Sequence, residues 1–138
     1  MSLKTEERRA VVTLETEKAQ RTLLQAEAMY EQGFYDGAAN RLYYAAFHAV
    51  AALFINDGYQ VNTHSGSHSM FSLHYVKSGI VSAEEGNLYA RLQTLREQSD
   101  YNCTYDITAE ELRSFLKPTR AFVEHLAAII QTKQTTQH

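Results

Sequence analysis

One stretch of this sequence, NRLYYAAFHAVAALF, places an arginine, a tyrosine and a histidine among alanines and large apolar residues. Arg41, Tyr44 and His48 are spaced at i, i+3 and i+7, so on a helix they lie together, opposite the broad apolar face. The rest of that side is mainly alanine, whereas a helix surface in water usually carries Lys, Glu and Gln. We expect another helix of the chain, a second subunit or a ligand to approach it closely.

A second polar stripe lies about forty residues further on, where Tyr89, Arg96 and Asp100 are spaced at i, i+7 and i+11 beside an edge of leucines. An arginine at a partly buried site needs an anion. Asp36 or Asp100 could supply it within the chain, and a phosphate group could supply it from outside. Two interpretations stay open: the stripes form a shared polar pocket or dimer seam, or each charge is neutralised separately.

The segment THSGSHSMFSLH adds three histidines. His64 and His68 would be spaced as two metal ligands on a helix, but the serines and glycine between them favour a turn and no carboxylate lies in the block. We therefore predict no metal site and no cofactor. Backbone N–H groups at the entrance of the next helix, with Thr63, His64 and Ser67, could hold a phosphate or carboxylate. Ordinary N-capping by Ser65 or Ser67 is the simpler alternative.

Five helices must position these side chains. Hydrophobic periodicity and capping signals place them at about Lys4–Gln32, Asp36–Asn56, Ser67–Lys77, Ser82–Ser99 and Thr108–Gln131. The apolar positions of the first helix are Val11, Leu14, Leu24, Ala28 and Met29. Pro118 should kink or split the fifth helix. No strand pattern appears, so we predict an all-α, up-and-down bundle of four to five helices. It forms a single domain over residues 1–138, with 131–138 as a frayed tail.

Composition narrows the classes of function. The chain has 138 residues, of which 44% are hydrophobic, and this suits one compact domain with a core. The net charge of −3 gives no global basic field, so any RNA contact must use a local patch. Cys103 is the one cysteine and cannot form an internal disulfide. No stretch reads as a signal peptide or membrane span, so we expect a soluble, cytoplasmic protein.

Three blocks, in this order, resemble the HEPN superfamily: AANRLYYAAFHAVAALF, THSGSHSMF and LREQSDYNCTYDITAEEL. The similarity is to its compact stand-alone prokaryotic members of uncharacterised function and covers roughly residues 20–130. The resemblance implies a helical bundle that is usually a homodimer. Many HEPN proteins are metal-independent ribonucleases that act as toxins, often encoded beside a nucleotidyltransferase antitoxin.

The sequence departs from the family pattern at one decisive position. The resemblance implies an active-site Arg followed, after four to six residues, by a His near the start of a late helix. The matching segment is REQSDY, in which Arg96 is present but Tyr101 stands where His is expected. A tyrosine with a pKa near 10 is a poor general base at neutral pH. Arg41 and His48 also fit the spacing, but they lie in the second helix.

We therefore predict an HEPN-like, RNA- or nucleotide-associated component of a toxin–antitoxin or nucleotidyltransferase-linked system that lacks standard ribonuclease catalysis. The candidate residues are Arg41, Tyr44, His64, Asp100 and Tyr101 for phosphate or ligand binding, and Arg96 and His48 for catalysis. The expected partners are a second copy of the chain, a nucleotidyltransferase-type protein and RNA or a nucleotide, with no membrane. Two alternatives stay open: a non-catalytic dimeric protein-interaction module, and an active metal-independent endoribonuclease with a displaced histidine.

Overall fold

The computed structural model describes residues 5–60 and 63–136, apart from the side chains of residues 64 and 65. These ranges contain five α-helices and no strand, so the predicted all-α bundle is confirmed. The helices are α1 (Thr5–Glu31), α2 (Tyr35–Asp57), α3 (His64–Phe71), α4 (Ala83–Tyr101) and α5 (Ala109–Thr136). A π-helical segment, Ser72–Val76, continues α3. No helix in the described ranges combines the length and apolar character needed to cross a bilayer.

Helix α2 lies at the centre of the bundle, with α1, α4 and α5 packed around it. Its buried small side chains are Ala38, Ala39, Ala45, Ala46, Ala49 and Ala52. Alanine lets helix backbones approach closely, so these residues allow three neighbours to surround one helix. The alanine-rich side of α2 is therefore covered by other helices of the same chain.

Helix α1 packs on α2 through a face that only partly matches the predicted apolar positions, of which Met29 packs against the core. Its buried residues are Val12, Ala19, Thr22, Leu23 and Ala26. Leu14 and Leu24, which we predicted to be apolar packing positions, are 64% and 60% exposed. The side chains of Ala19, Thr22 and Ala26 are small, like the alanines of α2, so the two helices can pack closely along this face. The face of α1 that contacts α2 is therefore the one with small residues and not the one with the largest apolar side chains.

Helix α3 begins earlier than predicted because Thr63 caps it. The backbone N–H of Gly66 donates to Thr63 Oγ1 at 2.9 Å, so the expected caps, Ser65 and Ser67, are not the N-cap residue. Ser67 is buried instead. At the other end, the N–H of Lys77 donates to the carbonyl of Ser72 at 3.0 Å, which closes the wider π turn.

The start of α4 follows its sequence signal in full. Glu85 N–H donates to Ser82 Oγ at 3.1 Å, and Ser82 N–H donates to Glu85 Oε1 at 2.9 Å, so the predicted capping box is confirmed. At the start of α5, only half of the expected box forms. Glu111 N–H donates to Thr108 Oγ1 at 3.1 Å, but the Glu111 carboxylate accepts from Tyr105.

Helix α5 runs unbroken through Pro118 and reaches Thr136, so it is not split. It also extends past Gln131, where we expected a frayed tail. Lys133 Nζ donates to Asp57 Oδ2 at 2.6 Å and Gln134 Nε2 donates to Asn56 Oδ1 at 3.2 Å. These two contacts tie the last turns of α5 to the end of α2, which explains the longer helix.

Gly86, in the first turn of α4, faces the π segment. A Cβ atom at this position would lie 2.8 Å from Val76 Cγ2, which is closer than packed atoms tolerate. Alanine normally stabilises a helix by about 1 kcal/mol relative to glycine, but we expect Gly86→Ala to destabilise this protein by about 1–2 kcal/mol through overpacking. In a Val76→Ala background the same change should be neutral or stabilising. Urea unfolding checks this, and an equal loss in both backgrounds would contradict it.

Glu85 also pairs with His125 of α5, and this gives the fold an acid-sensitive contact. Burial alone would raise the pKa of Glu85, but hydrogen bonds from the Ser82 backbone and from His125 outweigh burial and lower the pKa. A lowered pKa stabilises the folded state above the ordinary glutamate range, and this stability is lost as the pH falls through the folded-state pKa. We expect Glu85→Gln to be less stable than wild type above about pH 5, with the difference shrinking on acidification.

Chemical unfolding of both proteins between neutral and acidic pH measures this difference. Glutamine keeps the capping hydrogen bond, so the pH-dependent part reports the charge alone. The matched control is Glu84→Gln, because Glu84 is an exposed acid one residue away in the same turn. A difference that stays constant with pH for Glu85→Gln would refute the assignment.

Candidate functional site

The side chain of Arg96 is almost completely buried between aromatic rings. It is 6% exposed, and its guanidinium carbon lies 5.0, 5.7 and 5.6 Å from the ring centres of Tyr43, Tyr44 and Tyr101. Helix α2 supplies Tyr43 and Tyr44, while α4 supplies Arg96 and Tyr101. Cation–π attraction of this kind strengthens when the cation is removed from water, so the rings hold the guanidinium at the junction of the two helices.

A chain of polar contacts joins Arg41 to Arg96. Arg41 donates to Asn40 Oδ1 from Nε at 2.9 Å and from Nη2 at 2.6 Å. Asn40 Nδ2 in turn donates to Asp100 Oδ2 at 2.9 Å, and this oxygen lies 3.7 Å from Arg96 Nη1. The two polar stripes therefore meet within one chain. Asn40 was missed by the sequence analysis, because an asparagine next to an arginine carries no spacing signal of its own.

The charge of Arg96 is incompletely paired. Its nearest carboxylate oxygens belong to Asp100 and Glu97, at 3.7 and 4.0 Å, and neither is at hydrogen-bond distance. Nη1 donates to the hydroxyl of Tyr101 at 3.3 Å. The Nε–H group is buried and has no hydrogen-bond partner among the described residues. A buried donor without a partner is costly, and an anion placed at Nε would satisfy it.

The guanidinium nevertheless keeps its proton. Burial alone would lower the pKa of Arg96, but the hydroxyl of Tyr101 and the other nearby tyrosines outweigh burial and raise the pKa. Arg41 adds a second positive charge at the partly exposed rim, where its guanidinium carbon lies 5.5 Å from the ring centre of Tyr44. The site therefore contains two permanently charged guanidinium groups, those of Arg96 and Arg41. The Nε–H group of Arg96 is a buried donor without a partner among the described residues.

A network of buried tyrosine rings and hydroxyl groups packs next to Arg96. The rings of Tyr43 and Tyr89 stack nearly parallel, with centres 6.1 Å apart, and Tyr89 Oη is 2.8 Å from Ser67 Oγ. Burial raises the pKa of Tyr43 to about 12, although the charge of Arg96 partly opposes this. Burial also raises the pKa of Tyr89. Both phenols are therefore neutral at physiological pH. They connect Ser67, at the start of α3, to the aromatic rings around Arg96.

The remaining candidate residues lie at the edge of this site or outside it. His48 Nδ1 is 2.9 Å from Glu15 Oε1 of α1, and its ring centre is 6.5 Å from that of Tyr44. The side chain of His64 lies outside the described residues. At the entrance of α3, the N–H groups of Gly66 and Ser67 both donate to Thr63, so these two expected anion donors are already occupied. In the part of the chain that the structure describes, no three His, Cys, Asp or Glu side chains are arranged to share a metal ion.

Comparisons with known proteins give a family and several relatives. The family model described as the HEPN domain matches residues 14–129. A UPF0332 protein of Thermotoga maritima is 26% identical over 91% of this chain and 95% of its own length. Putative toxin MJ0142 of Methanocaldococcus jannaschii is 32% identical over 78% of this chain and 73% of its own. Putative toxin MJ0605 of the same organism is 31% identical, covering 80% and 81%.

Removing the hydroxyl group of Tyr89 tests the hydrogen-bond network next to Arg96. Tyr89→Phe leaves Ser67 Oγ buried without its partner, and we expect a loss of about 1–3 kcal/mol in the free energy of unfolding. Tyr105→Phe is the matched control, because its hydroxyl bonds to Glu111 near the surface, and it should cost well under 1 kcal/mol. Urea denaturation measures both. Equal losses in the two variants would show that the buried network has no special role.

Proposed function

Because the chain belongs to the HEPN domain family, we propose that it is the RNA- or nucleotide-binding member of a toxin–antitoxin or nucleotidyltransferase-linked pair. The observation that carries the proposal is the buried, incompletely paired guanidinium of Arg96 beside the second cation, Arg41. The two relatives named as putative toxins support the toxin part of the proposal.

A phosphate group fits the chemistry of this site. Guanidinium groups bind phosphate oxygens through charge-assisted hydrogen bonds, and Arg96 Nε–H is a donor without a partner among the described residues. Asp100 is the competing anion. Its oxygen bonds to Asn40 at 2.9 Å but stays 3.7 Å from Arg96, so the carboxylate is held by the amide and does not pair closely with the guanidinium.

Hydrolysis by the usual HEPN mechanism lacks a suitable base here. The phenol of Tyr101 stands at the position where the family pattern has histidine, and its hydroxyl accepts a hydrogen bond from Arg96. An ordinary phenol takes up protons poorly at neutral pH. His48 is paired with Glu15 on the side of α2 that faces α1. We therefore propose that the protein binds RNA or a nucleotide without cutting it by the standard route.

Partners belong to the same proposal. HEPN proteins resemble one another in forming homodimers, and in this chain Leu14 and Leu24 leave apolar side chains exposed on α1 that a second copy could cover. We propose a homodimer that also binds a nucleotidyltransferase-type protein. Light scattering coupled to size-exclusion chromatography reports the first part, and a monomeric mass at micromolar concentration would remove the homodimer from the proposal.

Fluorescence anisotropy with a labelled single-stranded RNA tests the binding site. We expect Arg96→Gln and Arg41→Gln each to weaken binding about tenfold and to reduce the salt slope by about one unit. Arg120→Gln is the matched control. It removes the same charge, but Arg120 is already paired with Glu27 of α1, so binding should stay unchanged.

The same RNA, analysed on a denaturing gel after incubation, separates the alternatives. Intact RNA with wild-type protein agrees with binding without standard catalysis. Fragments that disappear in His48→Ala would instead establish a ribonuclease with a displaced histidine. If neither RNA nor a nucleotide binds or raises the melting temperature, the site is a structural seam and the protein is an interaction module.

A further inference from the structure

We propose that Tyr101 is a nucleobase-stacking subsite, on which the base next to the phosphate held by Arg96 lies flat. This inference rests on the proposed function and adds a second binding element to it. It assigns a ligand-binding role to Tyr101, the residue that stands where the family pattern has histidine.

The exposure of Tyr101 is the first observation. Tyr101 is the last residue of α4 and is 75% exposed, whereas Tyr43 and Tyr89 are 0% and 1% exposed. Its ring therefore contributes little to the core. Its hydroxyl accepts a hydrogen bond from Arg96 Nη1 that is 3.3 Å long. The fold thus holds the hydroxyl end of the ring loosely and leaves most of the aromatic surface open to a ligand.

The second observation is the position of the Arg96 charge. Its guanidinium carbon lies 5.6 Å from the centre of the Tyr101 ring, so a cation backs the ring from the protein side. Aromatic side chains beside a positively charged groove are the usual platform for unpaired bases, and stacking tolerates any base because each has a π face. Tyr101 and Arg96 supply an exposed ring and an adjacent cation, the two components of such a platform.

The third observation is that the two groups can contact one nucleotide. A nucleotide carries its base one sugar away from its phosphate, and Arg96 touches the ring while its Nε–H faces no described partner. Phosphate at the guanidinium and base on the ring would then be neighbours in the same ligand. Arg41, whose guanidinium carbon lies 5.5 Å from the ring centre of Tyr44, would contact the next phosphate of the chain.

Two probes with equal charge separate stacking from phosphate binding. One is a labelled single-stranded oligouridylate, and the other is an abasic ribose–phosphate chain of the same length. Four variants are compared by fluorescence anisotropy, and one of them is Arg96→Gln, which removes the proposed phosphate contact. Tyr101→Phe keeps the ring, Tyr101→Leu keeps apolar volume without the ring, and Phe34→Leu removes an aromatic side chain that is 61% exposed at the turn between α1 and α2.

We expect Tyr101→Leu to bind the oligouridylate about tenfold more weakly than wild type and to lose much less affinity for the abasic chain, where only the contact between Tyr101 and Arg96 is removed. Tyr101→Phe should stay within about twofold of wild type on both probes, because the π face is kept. Phe34→Leu should change neither. Circular dichroism melts confirm that each variant is folded, and the surface position of Tyr101 makes unfolding an unexpected result.

Three outcomes overturn the subsite. If Tyr101→Leu binds the oligouridylate as wild type does, no base stacks on this ring, and the phosphate site is judged separately from Arg96→Gln. If it weakens both probes equally, Tyr101 acts through Arg96 and not on the base. If Arg96→Gln also leaves both probes unchanged, the proposed function fails together with the subsite, so the two failures are distinguishable.

Discussion

A guanidinium group that is almost withdrawn from water must be compensated, and at Arg96 the compensation comes mainly from aromatic rings. Removing an ion from water costs several kcal/mol even after relaxation, whereas a desolvated cation–π contact returns about 2 kcal/mol. Contacts of this kind with Tyr43 and Tyr44, and a weaker one with the exposed ring of Tyr101, offset part of the cost. The carboxylates at 3.7 and 4.0 Å contribute less than a hydrogen-bonded pair would.

This constraint explains much of the bundle. The rings of Tyr43 and Tyr44 reach Arg96 only because α2 and α4 pack closely, and the alanines of α2 allow α1 and α5 to close around its other sides. Tyr43 is fixed in turn by the parallel ring of Tyr89, whose hydroxyl bonds to Ser67. The position of the Arg96 guanidinium therefore depends on the packing of α2 against α4. The hydroxyl groups of Tyr89 and Ser67 connect this pair of helices to the start of α3.

Local signals predicted what is determined locally. The limits of α2 and the Ser82–Glu85 capping box follow from glycine, serine and glutamate at fixed spacings, and the bundle class follows from the helical period. Contacts between distant segments were less predictable. Leu14 and Leu24 look like packing residues, yet α1 turns its small residues inward because α2 presents alanines. The end of α5 depends on Asp57 and Asn56, some seventy-six residues away along the chain, and the sequence gives no local sign of this.

The candidate site shows the same division. The spacing of the two stripes indicated that Arg41, Tyr44, Arg96 and Asp100 share helix faces, but only the packing of α2 against α4 brings the stripes together. Asn40, which joins them, has no signal in the sequence. His64 was chosen for its residue type, and its side chain lies outside the described residues.

Three arginines of the bundle differ in how the fold uses their guanidinium donors. Arg120 donates from Nε and Nη2 to both carboxylate oxygens of Glu27, at 2.9 and 2.5 Å, so its fork is used by the fold. Arg113 donates from Nε to the hydroxyl of Tyr30. Arg96 is the most buried of the three, yet its Nε–H has no partner among the described residues. Structural pairing alone would fill the most buried donor first, because that donor costs most when unpaired. Among these three arginines the order is reversed, and this supports the proposal that Arg96 belongs to an anion-binding site.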